Sequence, residues 1–412
     1  MTVAPYIKIA VISDLHCQKE ENSSKVTRLH TQLLDNPITS NPVESLKKMI
    51  AEEEKKVDYF LVLGDVTDKA DLDGFVLGIK FIKELFITLD AKKLIYAVGN
   101  HDMYRKTGDE SIDQQIQDSE YMMKRTNGFP FLFKDESVEN LEKDFWTDKY
   151  CVYEDDKSIF FILNTSCFMG DTKSLNPLII DETLYEKIKI KLTNYKSNNK
   201  VKLAICHHHP IQHSDINDKY KSLDCITRAD KLLELLTENN FTLYMHGHKH
   251  FPRLKCDDNL PIFCSGSFSS LENTASFNES NTVHFINIYN NEQNNKYKGT
   301  IETWIYNCTS GWIKSTDLNV RFPTYTGFGV NLNIEDLTKR IYDHFYKEFE
   351  KTGSHDIYIP ITYDRVINEF PDLEFLTPLQ QKKFEEELYI YQIEFGRGKK
   401  TNKRTLQKTF SL

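Results

Sequence analysis

The stretch IKIAVISDLH, residues 7–16, decides the fold of this chain. Its first six residues are β-branched or apolar apart from Lys8, and such a run predicts a buried strand. Asp14 and His16 follow the strand directly. Ligands of α/β proteins gather outside the carboxyl ends of strands, because the loops of neighbouring strands meet there. The stretch therefore predicts an α/β fold in which this loop carries function.

The same arrangement, an apolar run followed by carboxylate, amide or imidazole side chains, recurs four times along the chain. The runs are YFLVLGDVTD at 59–68, LIYAVGNHD at 94–102, LAICHHHP at 203–210 and LYMHGHKH at 243–250. Helical patterns at 45–55 and 74–89 give an alternation of strands and helices. We therefore expect residues that lie far apart in the sequence to share one site at the ends of the strands.

In this order, the five motifs resemble the pattern D-x-H, G-D, G-N-H-D/E, H and G-H-x-H of the calcineurin-like metallophosphoesterase superfamily. Every position of the pattern is filled. The resemblance implies a four-layer sandwich, in which two mixed β-sheets are flanked by helices, and a site for two divalent metal ions. We predict a metallophosphoesterase domain at 1–310 and an accessory region at 311–412.

The predicted metal ligands combine carboxylate, imidazole and amide donors. Asp65 is the natural bridge, because one carboxylate can give an oxygen to each of two ions. Mn, Fe, Zn, Ni and Co all suit such a mixed set. By the resemblance, the first ion is held by Asp14, His16, Asp65 and His250, and the second ion by Asp65, Asn100, His207 and His248.

The run HHHP leaves a choice between neighbouring histidines. Successive side chains at a strand end point to opposite sides, so His207 and His209 share a face while His208 points away. We predict His207 as the ligand, with His208 as the alternative. His209 is expected beside the ligands or facing the substrate.

The predicted chemistry is hydrolysis of a phosphate ester. Two divalent ions about 3.5–4 Å apart lower the pKa of a bridging water, which then attacks phosphorus. Asp65 is therefore catalytic as the bridge, and His101 is expected to stabilise the substrate or protonate the leaving group. Asp102 is expected either to orient His101 or to form a turn or cap a helix, and Asp68 either to lie beside the ligands or to form a turn.

Two departures from the protein phosphatase pattern concern the substrate. GDVTDKADL lacks the arginine of the downstream D-R-G motif, and GNHD stands in place of GNHE. Both departures make the chain resemble the branch of the superfamily that is similar to class III cyclic-nucleotide phosphodiesterases. We predict a phosphodiesterase for a nucleotide or another small diester. The alternatives are a DNA or RNA nuclease that works in a complex and a partner-binding scaffold that retains the fold.

Two insertions, at about 18–42 and 104–149, are expected to overhang the metals. The second insertion carries basic residues that suit a phosphate and aromatic residues that suit base stacking. Packing of those aromatic residues into a small core of their own is the competing interpretation. They are Arg105, Lys106, Lys124 and Arg125, and Tyr121, Phe129, Phe131 and Phe133.

The accessory region is predicted to be mainly helical. An apolar stripe runs from Ile334 to Phe349, and a second helix begins at Thr377 and continues through Phe395 to a stop at Gly396. These helices could bind a protein partner or a second copy of the chain. The tail 396–412 carries six basic and no acidic residues, which suits either nucleic acid or a solvated tail.

Composition sets further expectations. A net charge of −9 argues against electrostatic attraction of the whole protein to nucleic acid. The eight cysteines form no C-x-x-C pair, so we expect reduced thiols in a cytoplasmic protein. No basic amino-terminal signal and no membrane-length apolar run is present, so no membrane association is expected.

Overall fold

The computed structural model describes residues 4–19, 27, 29, 41–103, 138–167, 178–212, 225–271, 281–291, 296–314, 322–350, 361–397 and 404–408. Most of the two predicted insertions lies outside these residues. So do all the basic and aromatic side chains that the second insertion was predicted to offer to a substrate.

The first sheet has seven strands in the described part of the chain. They are β1 (Ile7–Ile12), β2 (Tyr59–Val62), β3 (Lys93–Tyr96), β10 (Thr282–Asn291), β11 (Lys296–Asn307), β12 (Gly311–Ile313) and β13 (Tyr325–Phe328). Their order is β12-β11-β10-β1-β2-β3, and β13 also pairs with β11. Because β1, β2 and β3 are parallel, their carboxyl ends open at the same edge.

The second sheet has six strands in the described part of the chain, in the order β4-β5-β6-β7-β9-β8. They are β4 (Tyr150–Glu154), β5 (Ser158–Leu163), β6 (Val201–Ile205), β7 (Leu243–His246), β8 (Pro252–Asp257) and β9 (Leu260–Ser265). Strands β5, β6, β7 and β9 are parallel, whereas β4 and β8 are antiparallel to their neighbours.

The sheets pack face to face, and helices cover their outer faces. Along β5, Phe160 and Ile162 join the core between the sheets, whereas Phe161 and Leu163 join the core under the helices. Helices α1 (Pro42–Glu52) and α2 (Leu72–Thr88) cover the first sheet. Helix α3 (Val138–Thr147) precedes β4, and α4 (Glu182–Thr193) and α5 (Ala229–Glu238) cover the second sheet. The predicted four-layer sandwich is confirmed.

The accessory region forms its own small core. It contains α6 (Ile334–Glu350), α7 (Tyr363–Glu369), a 3₁₀ helix (Pro371–Phe375), α8 (Pro378–Ile390), β14 (Ile361–Thr362), β15 (Ile393–Arg397) and β16 (Arg404–Lys408). The predicted apolar stripe is buried here, through side chains that include Ile341 and Phe345. Thr377 caps α8 in a capping box with Gln380, as the predicted helix start requires.

The predicted end of the last helix is wrong. Helix α8 ends at Ile390, and Phe395 lies in strand β15. Strand β16, within the predicted basic tail, is the central strand of the sheet β14-β16-β15, and its Leu406 is buried. Part of the predicted tail therefore belongs to the fold, because Leu406 is buried in the core of the accessory region.

The first sheet continues past residue 310, the predicted limit of the metallophosphoesterase domain. Both β12 and β13 pair with β11. Two of these strands also contact the accessory region. The main-chain N–H of Gly327 in β13 donates to the carbonyl of Leu376 at 2.9 Å, and Lys298 Nζ in β11 lies 2.8 Å from Asp372 Oδ1. These contacts attach the accessory region to the sandwich. No helix in the described ranges is long and apolar enough to cross a membrane.

Candidate metal centre

The predicted site residues lie in five loops at the carboxyl ends of β1, β2, β3, β6 and β7. Main-chain hydrogen bonds extend the pairing of the strands into these loops. The N–H of Asp14 donates to the carbonyl of Gly64 at 3.0 Å, and the N–H of Gly247 donates to the carbonyl of His207 at 3.1 Å. The loops are thereby held against one another, as their position at the strand ends predicts.

Five of the predicted ligands have left-handed backbone conformations. Their φ angles are 53° at Asp14, 49° at His16, 52° at Asp65, 70° at His248 and 59° at His250. Side chains other than glycine rarely adopt this region, at a cost of about 1 kcal/mol or more per residue. Such strain clusters at functional sites, where the surrounding structure enforces it. Of the fourteen non-glycine residues with positive φ in the described part of the chain, these five are predicted metal ligands.

Glycines next to these residues permit close approach. Gly64 has a φ of 96°, which fits the tight turn predicted for it. Gly99 and Gly247 are required because neighbouring side chains lie too close for a Cβ. A Cβ at Gly99 would overlap the Asp65 carboxylate, and a Cβ at Gly247 would overlap Ser13 Oγ. An alanine at Gly99 would therefore push directly on the predicted bridging carboxylate.

Asp14, His16 and His250 form what we call the first group. His250 Nε2 lies 3.3 Å from Asp14 Oδ1 and 3.1 Å from His16 Nε2. Asp14 and His16 are buried, and 17% of the His250 side chain is exposed. One oxygen and two nitrogen atoms thus converge, as the resemblance implies for the first ion.

Asn100, His207 and His248 form the second group, and Asp65 lies between the two groups. Asp65 Oδ2 is 3.7 Å from His16 Nε2 and 3.1 Å from His207 Nε2. His207 Nε2 is also 3.1 Å from Asn100 Oδ1. The rings of His207 and His248 meet edge to face, with centroids 5.1 Å apart. One carboxylate therefore borders both groups, as a bridge requires.

His207 is fixed by its other ring nitrogen. Its Nδ1 lies 2.7 Å from the carbonyl oxygen of Leu63, so Nδ1–H donates there and Nε2 faces Asp65. Ligating imidazoles ordinarily have such a partner on the second nitrogen, because it sets the tautomer and the ring orientation.

The prediction that His208 faces away from its neighbour is wrong. Its ring centroid lies 4.5 Å from that of His248 and 5.1 Å from that of His207. Strand β6 ends at Ile205, so the histidines lie beyond it, where the alternation of strand side chains no longer holds. His209 stacks on His248 at 6.0 Å. All three histidines of the run therefore lie close to His248.

His101 is paired with Asp68. His101 Nδ1 lies 2.5 Å from Asp68 Oδ1, and the main-chain N–H of His101 donates to Asp65 Oδ1 at 2.7 Å. The Asp102 carboxylate instead accepts hydrogen bonds from the main-chain N–H groups of Thr67 and Gly99, at 3.0 and 2.9 Å. Of the two roles considered for Asp102, the turn-forming one matches these contacts. Asp68 is the carboxylate placed to orient the imidazole.

The electrostatics keep the central carboxylates ionised. Burial alone would raise the pKa of Asp65, but the charge of His207 lowers it well below its ordinary value. The pKa of Asp14 is lowered in the same way, with His250 as the main opposing charge. Burial lowers the pKa of His207, yet Asp65 outweighs it and raises that pKa to about 9. Buried negative carboxylates of this kind attract divalent cations.

The residues present fit two divalent ions. Carboxylate oxygens and imidazole nitrogens form four clusters in the described residues, and two of them share Asp14 while two share His207. The cluster of Asp14, Asp65 and His207 therefore shares one residue with the cluster on each side of it. Within the described residues, His208 Nε2 is a buried nitrogen without a hydrogen-bond partner. Buried polar atoms rarely stay unpaired, so this nitrogen is available to a binding partner.

The family is shown by a comparison with protein-family models. The model described as calcineurin-like phosphoesterase matches residues 7–252, which is more than half of the chain. The chain belongs to this family. The predicted family is therefore confirmed, and with it a metal-dependent phosphoester hydrolase. No curated protein matches the chain.

Several solved structures are similar to this chain at low sequence identity. A dimetal phosphatase from Danio rerio is 12% identical, with 74% of this chain and 100% of that chain covered and a TM-score of 0.45. Purple acid phosphatase PPD1 from yellow lupin is 11% identical, with 75% and 52% covered and a TM-score of 0.46. Vps29 from Chaetomium thermophilum is 9% identical, with 79% and 98% covered and a TM-score of 0.31.

Three residues that support this calcineurin-like site were not predicted from the sequence. Thr165 contacts His208, Ser267 Oγ donates to the carbonyl of Asp14 at 2.8 Å, and Gln18 Nε2 donates to Asp68 Oδ2 at 2.6 Å. Thr165 and Ser267 each follow a strand, β5 and β9. Their position at strand ends was a usable signal, but serine and threonine are too common in turns to stand out.

Proposed function

We propose that this protein is a dinuclear metal-dependent phosphodiesterase that hydrolyses a nucleotide or another small phosphodiester. The observation that carries the proposal is the position of Asp65. Its Oδ2 lies 3.7 Å from an imidazole of the first group and 3.1 Å from one of the second group. A carboxylate in this position suits a bridge between two ions.

The proposed roles of the residues follow from their contacts. Asp14, His16 and His250 would hold one ion with Asp65, and Asn100, His207 and His248 the other. When bound, two divalent ions supply Lewis acidity toward the phosphoryl oxygens and lower the pKa of water. His101 can donate a proton to the leaving oxygen from Nε2, because Asp68 stabilises its protonated ring at Nδ1.

The preference for diesters rests on the missing arginine. A phosphomonoester dianion carries more negative charge than a diester, and an arginine fork is the usual means of binding it. Here Lys69 is the basic residue between Asp65 and the start of α2, and 81% of its side chain is exposed. This loop therefore offers less to a dianion than the protein phosphatase motif does.

A nuclease is the second candidate, and one observation favours it. The tail 396–412 carries six basic residues and no acidic residue, which suits contact with a nucleic-acid backbone. The lysines Lys399, Lys400 and Lys403 of the same predicted tail lie outside the described residues.

The test is a substrate panel with added Mn²⁺ and with a chelator. It compares p-nitrophenyl phosphate, bis-p-nitrophenyl phosphate, cyclic nucleotides, single- and double-stranded DNA, and RNA. We expect metal-dependent cleavage of the diesters and slower cleavage of the monoester. Glu386→Gln, an exposed carboxylate on α8, is the matched control for carboxylate-to-amide variants and should cleave at the wild-type rate.

The outcomes separate the candidates. Preference for the monoester contradicts the diesterase proposal, and cleavage of nucleic acid alone favours the nuclease. Because β16 supplies the buried Leu406, truncating the tail would disturb the accessory core. A triple Lys399→Gln, Lys400→Gln, Lys403→Gln variant tests the charge instead. Unchanged nucleic-acid cleavage by this variant in low salt excludes a role for these lysines.

Compartment and partners belong to the proposal as well. None of the eight cysteines is in a disulfide, which supports a reducing, cytoplasmic setting. On α8, Leu379, Tyr389 and Ile390 are exposed, and such residues suit contact with a protein partner or a second copy of the chain. The buried stripe of α6 is already used in the accessory core.

A further inference from the structure

The histidine run brings a further imidazole to the second group. One nitrogen from each of His207, His208 and His248 lies within 4.8 Å of the other two. His207 Nε2 already faces Asp65 and Asn100. The family pattern asks this run for a single histidine, so it assigns no role to the second inward imidazole.

His208 is buried and its ring is oriented from one side. Thr165 Oγ1 accepts a hydrogen bond from the main-chain N–H of His208 at 3.1 Å and lies 2.9 Å from its Nδ1. In the tautomer that donates from Nδ1–H to this hydroxyl, Nε2 keeps a free lone pair. Both residues are 0% exposed. Water therefore does not reach the ring from outside.

The free nitrogen has no hydrogen-bond partner. His208 Nε2 is buried and unpaired within the described residues, although buried polar atoms are normally satisfied. A lone pair at this place is what a metal ion would occupy.

We propose that His208 is a third imidazole ligand of the second ion and that Thr165 is its positioning residue. This rests on the proposed two-metal function and deepens it. The second ion would then have three imidazoles, the Asn100 amide and the shared Asp65, whereas the first has two imidazoles, Asp14 and Asp65. Imidazole-rich sites suit zinc, nickel and iron, and carboxylate-rich sites suit manganese, so the two ions differ in preferred metal.

The test is a zinc titration of the metal-free full chain by calorimetry, with metal counted by mass spectrometry after gel filtration. The wild type should bind two ions. In His208→Ala the second ion should bind at least about 100-fold more weakly, and in Thr165→Val about tenfold more weakly, because the ring loses its partner. Thr165→Ser keeps the hydroxyl and should restore the affinity.

The control is His344→Ala, which removes a half-exposed imidazole of α6 and should leave both affinities unchanged. Circular dichroism and the midpoint of thermal unfolding report whether each variant folds. If His208→Ala fails to fold, the comparison of Thr165→Val with Thr165→Ser carries the test, since only the loss of the hydroxyl should weaken the second ion.

Four results would overturn the inference, and they are distinct. A wild type that binds fewer than two ions also removes the proposed two-metal function. Unchanged second-ion affinity in folded His208→Ala overturns the inference alone, and a changed KM with unchanged metal content would place His208 at the substrate. Loss of the second ion in His208→Ala but not in His207→Ala would make His208 the ligand in place of His207.

Discussion

The first and second groups differ in donors and in what holds them. In the first group, the carboxylate of Asp14 meets two imidazoles, and His16 Nδ1 is backed by Asp68 at 3.7 Å. In the second group, the Asn100 amide meets His207, whose Nδ1 is held by the main-chain carbonyl of Leu63, and the adjacent His208 is held by the hydroxyl of Thr165. Charge supports the first group, and neutral dipoles support the second. The two proposed ions therefore experience different fields and have different metal preferences.

The largest effect is expected from the residue that both groups share. Asp65→Asn keeps the size of the side chain but removes its charge, so both ions should bind at least about 100-fold more weakly. Turnover should fall to background. Metal content and turnover are measured on the same preparation. A variant that retains both ions and full activity would contradict the bridging role.

His101→Ala tests a residue that belongs to neither group. Loss of a general acid lowers the rate by about 10²–10⁴-fold. Both ions should stay bound, because His101 contacts the site through Asp68 and through its main-chain N–H, which alanine keeps. Single-turnover kinetics beside metal analysis separate the two effects. An unchanged rate on every cleaved diester would remove His101 from the mechanism.

Asp68→Asn should separate the groups. It removes the charge beside His16, so the first ion should bind about 10–100-fold more weakly while the second is unaffected. It also removes the charge that stabilises protonated His101, so the rate should fall, though less than in His101→Ala. Calorimetric titration resolves the two affinities. Equal weakening of both ions would show that Asp68 does not distinguish the groups.

The smallest effect is expected from Glu302→Gln. Glu302 lies outside both groups, so this variant tests whether a loss of stability by itself weakens metal binding. Glu302 pairs with Lys55 at 2.7 Å and Lys314 at 2.9 Å. Burial raises the pKa of Glu302, but the two lysines lower it below its ordinary value of 4.5 overall. We expect a loss of about 1 kcal/mol in the free energy of unfolding, with both metal affinities retained.

The pH dependence of this loss has a definite sign. The folded pKa is depressed, so the contribution is complete above pH 4.5 and is lost as the pH falls through the folded pKa. Urea unfolding at pH 7 should therefore separate Glu302→Gln from the wild type, and unfolding at pH 3 should separate them less. A difference that grows on acidification would contradict the ion pair.

The sequence by itself determined the class of the fold and the chemical types at the site. Apolar runs that end in donors are a local signal, since a buried strand needs the run and a metal needs oxygen or nitrogen. The start of α8 at Thr377 could also be predicted from nearby residues, because a capping box involves residues only three positions apart in the sequence.

Only the tertiary structure decided which side chains are in contact at the site and in the accessory core. Asp68, and not Asp102, pairs with His101; His208 turns inward beside His248; and Leu406 returns to complete the accessory core. Each of these depends on the direction in which a loop leaves its strand or on a partner far away in the chain. The local sequence determines neither the direction of the loop nor the distant partner. Side chains beyond a strand end no longer alternate, so contacts with distant parts of the chain decide their direction.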